Sequence, residues 1–157
     1  MRRFFWLVLL LLLGSALLAG PAAAPEEKVL SLTRALLENI YVQPSAQFYA
    51  DHVDPDVTAL EGTPVRVDGI DFHLFALSQL ARARAEDKSA RYLQLLNPRV
   101  QRYGDTAIVT LTSQVTTARE GAFQTTYLHE TRVWARRDGQ WKLVHFHKSP
   151  VPGPRPE

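Results

Sequence analysis

The chain has 157 residues, with 18 Lys and Arg against 16 Asp and Glu, and it contains no cysteine. The absence of cysteine excludes disulfides, thiol catalysis and zinc sites built on cysteine. Arg2 and Arg3 are the only charged residues before position 25, so the remaining basic and acidic residues are equal in number. Without a basic excess, binding to nucleic acid is not expected.

The first 24 residues have the layout of a secretory signal peptide. Two arginines precede an apolar stretch at 4–20, and the small residues Ala22-Ala23-Ala24 follow it. We therefore expect a periplasmic or secreted protein. The stretch is at the lower length limit for spanning a bilayer, and Pro25 disfavours cleavage after Ala24, so an uncleaved membrane anchor is the alternative. In that case the leader would be the only contact with a membrane.

Two helices are predicted directly after the leader. The first has an acidic first turn, which suits the positive end of the helix dipole. Its apolar residues recur at the three- and four-residue spacings of an amphipathic helix, at Val29, Leu32, Leu36 and Ile40. Pro44 marks the point where this helix has ended, and a short second helix is expected from Pro44 to about His52.

Two short strands and a third helix are predicted next. The β-branched residues on either side of Glu61-Gly62 indicate strands at 57–60 and 63–67. A helix from Ile70 to about Glu86 follows, with Asp68 as its N-cap. Its front half is apolar nearly all round, so we expect this half to be buried on more than one side.

Four longer strands are predicted from Ala90 onward, where apolar and polar residues alternate. They span 90–103, 107–117, 123–136 and 141–149. The short turns between them predict an antiparallel meander. Helices at the front and a long curved sheet at the back make an α+β domain over residues 26–150, with the sheet wrapped around the third helix. The tail at 151–157 is rich in proline and glycine and is expected to be disordered.

Several segments carry a recognisable family pattern. They are DP at 54–55, GIDFH at 69–73, LNP at 96–98 and, most specifically, the final hairpin HETRVWARRDGQWKLVHFHKS at 129–149. Over about residues 28–150 the chain closely resembles the association (hub) domain of calcium/calmodulin-dependent protein kinase II. The resemblance implies the cone-shaped nuclear-transport-factor-like, or ketosteroid-isomerase-like, fold. It also implies self-association into dimers or higher, ring-like homo-oligomers.

The resemblance does not extend to kinase activity. The sequence has no Gly-rich nucleotide loop, no HRD or DFG motif and no basic amphipathic helix of the type that calmodulin binds. Neither kinase activity nor calmodulin binding is therefore expected, and no cofactor is expected.

A ligand pocket is a second implication of the resemblance. In the kinase hub, a pocket between the helices and the sheet is lined by polar and cationic residues. By motif position, Tyr49, His73 and Arg132 match that set, and Lys148 stands where the family usually has arginine. A small carboxylate is the expected ligand, because a guanidinium offers paired donors and an ammonium offers a point charge.

Alternatives to this pocket remain open at the level of sequence. Two positions depart from the family pattern. The family has a tryptophan late in the third helix, where this chain has Ala81, and an arginine in the second long strand, at a position within 110–112 where this chain has none. Arg132 could instead be held as a structural ion pair by Glu130, by Asp71 or by an acid of a neighbouring subunit, because a buried arginine needs an anionic partner.

The register of the final hairpin decides whether Arg132 and Lys148 share a face. A plain two-residue turn at Asp138-Gly139 pairs Arg132 with His145 and places Lys148 on the opposite face. A turn with a bulge at Gly139 shifts the register by one residue. Arg132, Val144, Phe146 and Lys148 then share a face with Glu130 and Trp134, and this bulged form is the one we expect.

Two functions are consistent with these residues. The favoured function is an exported binding or assembly module for a small organic anion. The alternative is an isomerase, dehydratase or cyclase in which His73 is the base and Tyr49 or Arg132 stabilises an oxyanion; His73 could equally be a satisfied core residue. His145 and His147 share a strand face, but no third ligand of matching position is evident, so no metal site is expected.

Overall fold

The computed structural model describes residues 24–62 and 64–152, and the elements lie in the order helix, helix, two strands, helix, four strands. The helices are α1 (Pro25–Tyr41), α2 (Ala46–His52) and α3 (Asp71–Glu86). The strands are β1 (Val53–Glu61), β2 (Val67–Asp68), β3 (Ala90–Tyr103), β4 (Thr106–Arg119), β5 (Ala122–Arg137) and β6 (Gln140–Pro150). The predicted leader, except for its last residue, and most of the predicted tail lie outside the described residues. Within the described ranges, no helix combines the length and apolarity needed to cross a membrane.

The six strands form one curved sheet in the order β2-β1-β6-β5-β4-β3. The predicted meander is confirmed, because β3, β4, β5 and β6 pair in sequence and antiparallel. The sheet as a whole is mixed, since β1 runs parallel to β6. The predicted α+β fold is thus confirmed, and one parallel pair is added to it.

Helix α1 supplies most of the helical contribution to the core. Its residues Val29, Leu36 and Leu37 are completely buried, and the helix packs along β3 and β4. The buried Thr33 satisfies its hydroxyl by donating to the carbonyl of Val29 at 2.9 Å. The helix that the sheet packs around is therefore α1, not the third helix as predicted.

Helix α3 has a single buried stripe, formed by His73 and Leu77. Phe72 and Phe75 are 56 % and 63 % exposed, so the prediction that its front half is buried on more than one side is wrong for the single chain. Apolar residues around a whole helix indicate what the helix can bury, but they do not specify which neighbours cover it.

The segment between α2 and α3 differs in detail from the prediction. Strand β1 is longer than expected. Of the described residues in the strand predicted at 63–67, only Val67 belongs to a strand, the two-residue β2 that pairs antiparallel with β1. Asp68 does not cap α3; its carboxylate accepts from Arg66, and the helix begins at Asp71. Gly69 has φ +83° and donates its N–H to the carbonyl of Val57, which fixes the chain before the helix starts.

The β5–β6 hairpin has a two-residue turn and a bulge at a different place from the predicted one. Asp138 and Gly139 both have positive φ, as in a type I′ turn, and the flanking residues pair directly. The extra residue is Val144, which lies between two consecutive pairs of the ladder. Because Asp and Gly both tolerate positive φ, the turn needs no additional residue, and the register shift occurs inside the strand instead.

The register shift places Arg132 and Lys148 together on the inner face of the sheet, as expected. Arg132 is paired with Phe146, and Glu130 is paired with Lys148, so all four side chains share a face. Leu143, rather than Val144, is the partner of the buried Trp134 on that face. The predicted position of the bulge at Gly139 is wrong, whereas the predicted common face of Arg132 and Lys148 is confirmed.

Candidate functional site

A cavity of about 170 Å³ lies where the three helices meet the inner face of β1, β5 and β6. It is lined by all four residues that the sequence pointed to, namely Tyr49, His73, Arg132 and Lys148. Apolar side chains, including Leu77 and Phe146, form much of the remaining wall. The four side chains come from α2, α3, β5 and β6, so the cavity exists only in the folded chain.

Arg132 is the most deeply buried charge at this cavity, with 1 % of its surface exposed. Its Nε donates to Oε2 of Glu130 at 3.0 Å, and its Nη2 donates to the same oxygen. The guanidinium also lies 5.0 Å from the ring centre of Phe146. Burial by itself lowers the pKa of Arg132, but the adjacent Glu130 carboxylate outweighs it and holds this pKa above its ordinary value.

Glu130 is held in turn by two further donors. Its Oε1 accepts from the hydroxyl of Ser113 at 2.5 Å and from the phenol of Tyr41 at 3.3 Å. Glu130 is therefore the acid that pairs with Arg132 in this chain. It is one of the partners that the sequence left open. Nη1 of Arg132 nevertheless has no hydrogen-bond partner among the described residues.

Lys148 forms the second ion pair of the cavity, with Glu61. The ammonium lies 3.4 Å from the carboxylate, and both side chains are about one quarter exposed. The two residues are brought together by the parallel pairing of β1 with β6. With Arg132 balanced by Glu130 and Lys148 by Glu61, the cavity has four charged groups and no excess of either sign.

His73 is 6 % exposed and lies against three aromatic rings, those of Tyr49, Phe72 and Phe146. The ring centres of Tyr49 and Phe146 are 5.9 Å and 5.4 Å from that of the imidazole. Burial lowers the pKa of His73 below its usual value, and the charges of Lys148 and Arg132 lower it further, against the opposing effect of Glu61. The imidazole is therefore neutral near pH 7.

Three buried polar atoms around this cavity lack partners within the described residues. They are the hydroxyl of Tyr49, Nε2 of His73 and Nη1 of Arg132. Burial also raises the pKa of the Tyr49 phenol, which keeps it protonated and able to donate. Buried polar groups are normally satisfied, so three such atoms at one cavity indicate a place for a polar ligand or water.

The histidines of the final strand lie away from this cavity. Nδ1 of His145 lies 2.7 Å from the hydroxyl of Thr58, and His147 is exposed. Among the described residues, no group of three or more His, Cys, Asp or Glu is arranged to hold a metal ion.

Sequence reasoning missed three residues that shape the site. Ser113 follows Leu111 by two positions on β4, so the same alternation that placed Leu111 inward could have found it. Tyr41 could have been suspected from its position at the end of α1. Glu61 could not, because its pairing with Lys148 depends on a parallel contact between the first strand and the last.

Comparison with known proteins identifies the family of this chain. Residues 25–152 match the family model for the calcium/calmodulin dependent protein kinase II association domain. The match covers most of the chain, including every residue of the cavity. The chain belongs to this association-domain family.

Individual relatives support both the family and the fold. The delta subunit of calcium/calmodulin-dependent protein kinase type II from Oryctolagus cuniculus is 32 % identical over 133 residues, which are 82 % of this chain and 24 % of that protein. The crystal structure of the S. rosetta CaMKII hub is 33 % identical with a TM-score of 0.64, over 83 % of this chain and 99 % of that one. An NTF2-like protein from Cytophaga hutchinsonii has a TM-score of 0.61 at 15 % identity, over 82 % and 99 % of the two chains, which shows the shared fold alone. The chain thus spans about a quarter of the length of the curated kinase that it matches.

Proposed function

We propose that this chain is a self-associating module that forms homo-oligomers through its own domain. The observation that carries the proposal is the match to the association-domain family over residues 25–152. The matched solved structure is itself described as a hub. The proposal concerns assembly only, because the match does not include the kinase part of the longer relative.

The exposed phenylalanines of α3 support this proposal. Phe72 and Phe75 lie one helical turn apart, and each leaves more than half of its surface exposed. Large apolar side chains that are exposed together favour burial against another protein surface. A second copy of the chain is the partner that family membership suggests for this surface.

Native mass spectrometry of the purified protein tests self-association. We expect an oligomeric mass for the natural sequence, and a shift towards smaller species for Phe75→Glu, because the added charge would have to be desolvated at the interface. Tyr103→Glu is the matched control, since Tyr103 is 60 % exposed on the β3–β4 hairpin and lies far along the chain from α3. A monomer at all concentrations would contradict the proposal, and an oligomer broken by Tyr103→Glu but not by Phe75→Glu would move the interface elsewhere.

We further propose that the cavity around Arg132 binds a small carboxylate. The supporting observation is the set of three unpaired polar atoms, all of which can donate a hydrogen bond: the Tyr49 hydroxyl, Nη1 of Arg132 and, when protonated, Nε2 of His73. Because the two ion pairs leave no net positive charge, the carboxylate would bind most strongly when His73 is protonated. The volume of about 170 Å³ suits a ligand of only a few heavy atoms.

Calorimetric titration with propionate tests the carboxylate site, with propionamide as the uncharged isostere. Propionate is expected to bind more strongly as the pH falls through the lowered pKa of His73, whereas propionamide should show no such trend. Tyr49→Phe should weaken propionate binding by about two- to tenfold, the usual effect of one hydrogen bond, and Tyr103→Phe should leave it unchanged. Equal binding of the two probes at every pH would exclude an anion site.

Export is proposed from the leader at residues 1–24. Two forms are distinguished: a periplasmic or secreted protein without the leader, and a membrane-anchored protein that keeps residues 4–20. The intact mass of the protein from the periplasmic or secreted fraction and from the membrane fraction separates them. Full-length protein found only in the cytosol would contradict both.

A further inference from the structure

A second and larger cavity lies on the other side of the C-terminal end of α1. Its volume is about 670 Å³, within the range of small-molecule sites, and it is bounded by that end of α1, the α1–α2 connection, Phe48 of α2 and the start of β3. None of its lining residues belongs to the cavity around Arg132. It is therefore a separate site.

Asn39 places an unpaired acceptor at this cavity. The residue is 6 % exposed, and its Nδ2 donates to the carbonyls of Gln43 and Ser45 at 3.4 Å and 3.2 Å. These two bonds fix the orientation of the amide. Oδ1 has no hydrogen-bond partner among the described residues, although it is buried. A buried carbonyl oxygen of this kind calls for a donor from a ligand or water.

Negative charge accompanies this acceptor on the α1 side. Glu38 also lines the cavity, and its carboxylate makes no ion pair within the described part of the chain. The C-terminal end of a helix carries partial negative charge from its free carbonyl groups, and the last turn of α1 contains no basic residue. This side of the cavity therefore favours a cationic donor such as an ammonium group.

Arg91 lines the β3 side of the cavity and carries an unpaired donor. Its Nη1 donates to Thr117 at 2.9 Å and its Nη2 to Asp87 at 3.0 Å, which hold the guanidinium in place. Its Nε is buried and has no partner among the described residues. An acceptor such as a carboxylate would satisfy this group, and a charged acceptor gives the stronger bond.

We propose that this cavity binds a free amino acid with an apolar side chain. Its ammonium group would lie at Asn39 and Glu38, and its carboxylate at Arg91. Its side chain would pack against Phe48 and Leu93, which are among the apolar residues that line the cavity. Acceptors on one side and a donor on the other match the two ends of a zwitterion. An amine or a carboxylic acid alone would satisfy only one of the two sides. The inference does not rest on self-association or on the carboxylate site.

Calorimetric titration of the full-chain protein with L-phenylalanine tests the proposal. We expect saturable binding with a dissociation constant of about 1 mM or below. Phenethylamine, which lacks the carboxylate, and 3-phenylpropionate, which lacks the ammonium, should each bind at least about tenfold more weakly, because each leaves a charged hydrogen bond unmade.

Two variants assign the two ends of the ligand. Glu38→Gln should weaken binding of L-phenylalanine and phenethylamine by about threefold and leave 3-phenylpropionate unchanged, since Glu38 is exposed and its charge is screened. Arg91→Lys keeps a positive charge near Asp87 but removes the Nε donor, so it should weaken L-phenylalanine and 3-phenylpropionate and leave phenethylamine unchanged. Tyr103→Phe, at an exposed residue that lines neither cavity, is the control and should change none of the three. Tyr49→Phe tests whether the ligand binds in the cavity around Arg132 instead.

Three results would overturn the proposal. The first is the absence of saturable binding by L-phenylalanine. The second is equal binding of L-phenylalanine and phenethylamine, which would remove the role of Arg91. The third is loss of binding in Tyr49→Phe with no effect of Glu38→Gln or Arg91→Lys, which would place the ligand in the cavity around Arg132.

Discussion

Arg132 shows how a single residue can serve the fold and the site together. Phe146 of the facing strand lies against its guanidinium, and Tyr41 and Ser113 donate to the carboxylate of Glu130 that pairs with it. Glu130, two residues away on the same strand, neutralises it. The guanidinium is thus both a structural partner of Glu130 and the carrier of the free Nη1 at the cavity.

Glu130→Gln is expected to destabilise the domain by about 3–5 kcal/mol, because it leaves the buried guanidinium of Arg132 without a counter-charge. Denaturant unfolding of the purified variant measures this change. Glu61→Gln removes the partly exposed partner of Lys148 and should cost about 1 kcal/mol or less. Equal effects of the two substitutions would contradict the assigned difference in burial.

His73 is expected to make stability depend on pH. Its pKa is lowered in the folded state, mainly by burial, so the unfolded chain binds a proton at a pH where the folded chain does not. The contribution of His73 to the free energy of unfolding is fully present above the unfolded pKa of about 6.5. It is lost as the pH falls through the lower pKa of the folded state. The free energy of unfolding measured from pH 7.5 to pH 4.5 should show this decline.

The matched variants for this pH dependence are His73→Phe and His147→Gln. The first keeps an aromatic ring in the buried position and should remove part of the decline. The second changes an exposed histidine and should leave the decline unchanged. A pH profile unaltered by His73→Phe would show that other groups cause it.

At the scale of elements, the β5–β6 hairpin sets the composition of both sheet faces. The single extra residue Val144 restores Phe146 and Lys148 to the inner face after a tight turn that would otherwise place them outside. His145 and His147 consequently lie on the outer face, beside Thr58 and Leu60 of β1. The bulge at Val144 therefore determines that Lys148, and not a histidine of β6, lines the cavity.

Gly139→Ala is expected to destabilise the hairpin by about 1–2 kcal/mol, because Gly139 has φ +80° and a Cβ is unfavourable there. Apart from the residues next to it in the chain, no atom lies within 4 Å of the added Cβ, so the cost arises from the backbone and not from a clash. Gly139→Asn should cost less, since asparagine tolerates positive φ. Thermal unfolding of both variants checks the order, and an Ala variant as stable as the natural protein would contradict a type I′ turn.

At the scale of the whole molecule, the chain combines a well-packed core with apolar residues left exposed. The core joins α1 to the sheet, whereas α3 presents Phe72 and Phe75 to its surroundings. An assembly that buries these side chains would be stabilised by mass action. The midpoint temperature of unfolding is therefore expected to rise with protein concentration.

Phe75→Glu should remove most of this concentration dependence while leaving the core intact. Calorimetric scans at several concentrations measure it, with Tyr103→Glu as the control. A midpoint that is independent of concentration for the natural sequence would indicate that folding and assembly are not linked.

The sequence by itself determined most of the secondary structure, the α+β class, the meander and the family. These follow from local periodicity, from turn residues such as Asp138-Gly139 and from motif residues such as those of 129–149, all of which are properties of short segments. It also pointed to the four residues Tyr49, His73, Arg132 and Lys148, through the resemblance of motifs.

Only the tertiary structure decided how those residues are partnered. The parallel contact of β1 with β6 joins Glu61 to Lys148, and the bulge at Val144 sets the register; neither leaves a local signal, because both depend on residues far apart in the chain. The sequence also could not show that α1, rather than α3, packs along the sheet, because both helices carry apolar residues. Long-range packing therefore brings polar residues from separate segments into a neutral cavity with three unpaired polar atoms.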